Sequence, residues 1–212
     1  MFEKLIPYVR IMLGLVYLIN GLNWFFKIIT PYPSISDFVD FMPPPDIVGA
    51  MIEQGLMFHA AKATELVAGI LLLANRAVPL TLVVSMAVTV PVFMVDVWKP
   101  ELRLRSTLMG TGSLAMNAVL LMAYYQYFRP MLNWHSQPTL LPESEPVACP
   151  DKVGAAVGGI SQVLLKPLLV FGALLGSAQV IWLAVMIVQY VADPKQIHEV
   201  REMVPRETRV QG

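Results

Sequence analysis

Three long stretches of this chain carry no charged side chain at all: residues 77–95, 106–128 and 167–192. A fourth, residues 11–26, lies between Arg10 and Lys27. A charge at the centre of a bilayer costs roughly 2.5–3.5 kcal/mol even on the lenient insertion scale. Gaps of this kind are therefore what a lipid-crossing helix leaves in a sequence, and about 20 mostly apolar residues make one crossing. The composition agrees. Charged residues are 14% of the chain, hydrophobic residues 56%, and mean hydropathy is +0.61, whereas an ordinary soluble domain is about 25% charged. The expected class is an all-α, polytopic membrane protein embedded in a lipid bilayer.

The same counts exclude several functions. Lys and Arg total 15 against 15 Asp and Glu, so no basic excess exists to hold nucleic acid. Cys149 stands alone, which excludes an internal disulfide or a thiol pair. The three His residues are far apart in sequence and suggest no metal cage. No metal and no covalently bound cofactor is expected.

Five spanning helices are expected, at about 5–29, 56–74, 77–95, 106–128 and 163–192. The second must carry His59, Lys62 and Glu65, and Asn75-Arg76 must then turn very tightly into the third. The first lacks a small-residue cleavage site and reads as a retained helix. Residues 30–46 are too rich in proline for a regular helix, and their aromatics suit a surface loop. The chain thus divides into a four-helix up-and-down bundle (1–128), an extra-membrane linker (129–152), an additional transmembrane helix (153–192) and a polar tail (193–212). Within the third unit, residues 153–166 could form an interfacial helix, with Lys166-Pro167 marking the start of the span or a kink.

The polar residues inside these spans are the candidate site. His59, Lys62 and Glu65, at i, i+3 and i+6, form a slanting stripe on one helix face. Lys62 and Glu65 can pair, which offsets the cost of burying either alone. The pair could serve a ligand or proton role, or only fasten helices. On the first helix Asn20, Asn23 and Lys27 share a face, with Trp24 as a rim aromatic; they either clasp the second helix or line a polar pocket with it. Gly110, Gly112 and Ser113 of the fourth helix read as close-packing residues. In the last helix Gly172-x-x-x-Gly176 has the spacing of a small-residue packing or dimerisation face. Because a bundle of four could close on itself, that face is expected to dock another membrane subunit or a second copy of this chain.

Three segments carry a family resemblance. Arg10-x-x-Leu13-Gly14 followed by Gly21-Leu22-Asn23-Trp24-Phe25-Phe26 is one. Phe41-x-Pro-Pro-Pro45, Gly55 and Lys62-x-x-Glu65-x-x-x-Gly69 form the second. Leu73-Ala-Asn75-Arg76-Ala-Val-Pro79-Leu80 is the third. Together they resemble the DoxX family of small bacterial membrane proteins, over roughly residues 5–128. The resemblance implies a four-helix up-and-down bundle in the bacterial inner (cytoplasmic) membrane with a cytoplasmic N-terminus, although the positive charges by themselves lean mildly the other way. It also implies links to quinone-coupled oxidation and to redox complexes. The linker and fifth helix are additional to the family pattern, and Asp96 stands where its third helix often ends in His. Three functions follow as expectations: an accessory subunit of a redox-linked membrane complex, a component of a quinone-dependent oxidoreductase, or a small-molecule or proton-coupled transporter.

Overall fold

The structure, a computed structural model, describes residues 2–26, 56–97, 104–128 and 152–192. After a 3-10 turn at Phe2–Lys4 come α1 (Leu5–Phe26), α2 (Leu56–Leu73), α3 (Val78–Val97), α4 (Leu104–Ala123), a single turn α5 (Tyr125–Phe128) and α6 (Lys152–Ala192). Among the described residues no strand occurs, and the all-α membrane reading holds. Helices α1, α2 and α6 are long and apolar enough to cross a bilayer. The apolar stretches of α3 and α4, Val78–Met94 and Thr107–Ala123, are shorter, and both helices pack within the same bundle.

The turn between α2 and α3 is as tight as the sequence requires. Asn75 takes φ 55°, a left-handed conformation that Asn tolerates through its short polar side chain. Arg76 N–H then donates to Leu71 O at 2.9 Å and Asn75 N–H to Leu72 O at 3.2 Å. Those two bonds cap the carbonyls that the end of α2 would otherwise leave bare.

Helices α1 and α2 approach most closely, and glycine permits it. A Cβ on Gly69 would lie 2.5 Å from the backbone nitrogen of Leu18, and one on Gly21 would lie 2.7 Å from Cβ of Leu66. Lipid offers no hydrophobic drive between helices, so close backbone packing has to supply the attraction. Backbone cannot step aside as a side chain tip can. Gly69→Ala is therefore expected to destabilise by about 2 kcal/mol, within the usual range for overpacking, and a lowered melting temperature in detergent would show it. A melting temperature equal to wild type would mean that α1 and α2 are not this close.

The fifth long helix contains the expected span, Val163–Val188, and extends it toward the N-terminus. It is one continuous helix that passes through Lys166-Pro167 without starting there; at ~1.5 Å per residue its 41 residues reach well beyond one bilayer. Its buried positions are Leu169, Gly172, Gly176, Gln179, Leu183 and Met186, alternating three and four residues apart as in a coiled-coil seam. The seam seats against both α1 and α4. A Cβ on Gly172 would meet Val9 and Val119 at 3.8 Å, and one on Gly176 would meet Sδ of Met116 at 2.6 Å and Cβ of Met12 at 3.0 Å. The Gly172-x-x-x-Gly176 face thus packs inside the chain, against α1 and α4. The physical reason is that α1 and α4 touch each other less extensively than either touches α6, which fills the groove between them.

Candidate functional site

Two polar clusters occupy the described bundle. The first lies between α1 and α2. Lys62 Nζ donates to Glu65 Oε2 at 2.8 Å, with 17% and 6% of the two side chains exposed. The i, i+3 spacing along one helix brings them together. Lys62 Nζ also stands 6.0 Å from the centroid of the Phe58 ring, within reach of a cation–π attraction. The antiparallel register that sets Gly21 against Leu66 and Gly69 against Leu18 places Asn23 level with the span between Lys62 and Glu65. Asn23 is buried, at 4% exposed.

The stripe runs from this buried pair to an aromatic mouth. His59 is exposed. It meets Trp24 edge-on at 5.6 Å between centroids and Phe25 at 6.3 Å, while Trp24 lies 4.8 Å from Phe58. One end of the α1–α2 pair therefore offers aromatic faces, an imidazole and, beneath them, an ammonium–carboxylate pair. That combination suits a planar ligand with hydrogen-bonding edges. Asn20, on the same helix face as Asn23, is partly buried. Lys27 lies outside the described residues, as do the 30–46 loop, Gly55 and Trp98.

The second cluster was not singled out from the sequence. Asn117 of α4 donates through Nδ2 to Ser85 Oγ at 2.9 Å and to Tyr17 Oη at 3.2 Å. The Tyr17 hydroxyl is in turn bonded to that of Thr89. All four residues are buried, and the bonds tie α1, α3 and α4 at one point. Ser85 and Thr89 also donate to carbonyls of their own helix, so both hydroxyls are engaged at more than one atom. Asn117 Oδ1 stays unbonded. Beside it, Gln179 of α6 donates through Nε2 to Met109 O at 2.8 Å and Leu108 O at 3.0 Å. Gly112 makes room for that amide, since a Cβ there would lie 2.6 Å from it. These bonds cross helices and have the character of fasteners. Asn117 and Gln179 in otherwise apolar runs are the sequence signal for this cluster.

On the outer surface α2 and α3 leave a groove of about 340 Å³ lined by Val67, Leu71, Leu80 and Val84, with Thr64 and Thr81. Both threonine hydroxyls already donate to carbonyls of their own helices. The groove is suited to an acyl chain and offers little to a polar ligand. Among the described residues no group of three His, Cys, Asp or Glu side chains could hold a metal ion.

Comparison with known proteins places part of the chain. The DoxX family model matches residues 5–96, from the first residue of α1 almost to the last of α3. The resemblance drawn from sequence extended to residue 128; the match leaves α4 outside it together with α6. No curated protein and no solved structure matches the chain.

Proposed function

We propose that this chain, a membrane protein that is DoxX over residues 5–96, serves as an accessory subunit of a redox-linked membrane complex and meets a quinone headgroup at the α1–α2 mouth. The observation that supports this reading is the paired Lys62 and Glu65 lying under Trp24, Phe58 and His59. A quinone is flat and apolar over its faces and accepts hydrogen bonds at its two carbonyl edges. Aromatic rings receive the faces, and an ammonium or imidazole N–H can donate to an edge. Membrane-soluble quinone would reach such a mouth from the lipid. The chain holds one Cys and so no dithiol of its own to supply electrons, which is why the reading assigns the electron donor to another subunit. The place of this complex is the bacterial cytoplasmic membrane.

The test is native purification in mild detergent, with mass spectrometry of co-purifying proteins and of extracted quinones. A stoichiometric partner and a retained quinone are the expected results. Lys62→Met and His59→Ala, each in folded protein, should lose the quinone and keep the partner. Protein that emerges from quinone-replete membranes with neither quinone nor partner would sink the reading.

A further inference from the structure

At the opposite end of α1 the structure assigns a second site: we propose that Arg10 binds the phosphate of an anionic lipid headgroup. Arg10 is 9% exposed. Its Nε and Nη1 atoms are buried and have no hydrogen-bond partner. A guanidinium remains charged at any working pH and can only donate. Burying such a group without an acceptor is costly. Among the described residues no carboxylate answers it. The described residues contain three acids, Glu3, Glu65 and Asp96. Glu65 is engaged with Lys62, Asp96 lies in the last turn of α3 at the far end, and Glu3 is exposed.

Position narrows the kind of anion. Arg10 is one turn before Gly14, which packs on Leu72 and Leu73. The same antiparallel register sets Arg10 level with the Asn75–Ala77 turn, at the membrane-surface end of the bundle. Lys4 and Arg76 belong to that end too. So does Lys166, because Gly172 of α6 meets Val9 and Gly176 meets Met12. Tyr8 and Ile11, beside Arg10 on α1, are each 38% exposed and give an acyl chain apolar surface to lie on. A headgroup phosphate accepts several guanidinium N–H bonds at once and carries the acyl chains that this flank would meet.

The test uses the full chain in a neutral detergent and follows its melting temperature with added phosphatidylglycerol, phosphatidylcholine or inorganic phosphate. Phosphatidylglycerol should raise the wild-type melting temperature by several degrees, as a ligand of the folded state does. Arg10→Gln should lose that gain, whereas Arg76→Gln, which removes an exposed cation at the same end, should keep it. Equal gains in wild type and Arg10→Gln would overturn the proposal, and so would equal losses in both variants, which would mean diffuse surface charge. A gain from inorganic phosphate as large as that from lipid would overturn the headgroup assignment in favour of a free anion. Should Arg10→Gln not fold, native mass spectrometry of wild type taken from vesicles of mixed phosphatidylglycerol and phosphatidylcholine decides. Retained phosphatidylglycerol supports the site, and its absence overturns it.

Discussion

Ending the chain at residue 151 should abolish the stable bundle in detergent, and Gly176→Ile should go most of the way there in the full-length protein. Helix α6 lays Leu169, Gly172, Gly176, Gln179, Leu183 and Met186 into the groove between α1 and α4. Without it, Val9, Met12, Met116 and Val119 lose their packing partner, and the Gln179 bonds to Leu108 and Met109 disappear. In lipid, packing and interhelical hydrogen bonds are the main forces that hold helices together. An isoleucine at 176 begins with a Cβ 2.6 Å from Met116 Sδ and 3.0 Å from Met12 Cβ, and its branches extend further. The Met116 tip can move; the Met12 Cβ moves only with α1. The expected loss is about 3 kcal/mol or more, at the top of the overpacking range. Thermal melting and size-exclusion profiles in detergent measure it. A truncated protein that stays monodisperse and melts like wild type would show that four helices suffice and that α6 is an appendage.

Lys62→Met and Glu65→Gln should each lower stability strongly, and the double variant should regain part of the loss. Breaking a buried pair by removing one partner leaves an uncompensated charge and costs about 3 kcal/mol. The two losses should be unequal. Glu65 is the more deeply buried member, and Lys62 retains some exposure and the Phe58 ring, so Lys62→Met, which strands the carboxylate, should be the worse. The cycle should return a coupling energy of about 1–3 kcal/mol, the range for residues in direct contact. Melting temperatures of the four proteins at fixed detergent and lipid suffice. If the two losses add without coupling, the 2.8 Å contact contributes nothing net. Because the readout is stability, this result stands apart from whether a quinone binds nearby.

The amino-acid sequence alone determined what local physics controls. Runs without charge located four of the five long helices, because a bilayer core penalises each charge wherever it falls. The tight turn at Asn75-Arg76 was legible because the spans at 56–74 and 77–95 leave only two residues between them. Lys62 and Glu65 were legible as a pair because their contact spans three residues of one helix. What only the tertiary structure decided is which way each apolar helix faces. Gly172 and Gly176 point inward against Val9, Met12, Met116 and Val119; sequence spacing fits an inward or an outward face equally well. Arg10 Nε and Nη1 are buried without a partner, and Tyr17, Ser85, Thr89 and Asn117 meet across three helices, although nothing near them in sequence says so. In water the polar face of a helix shows which side is out. In lipid both faces are apolar, so periodicity loses that information, and orientation is fixed by shape and by hydrogen bonds between residues far apart in the chain.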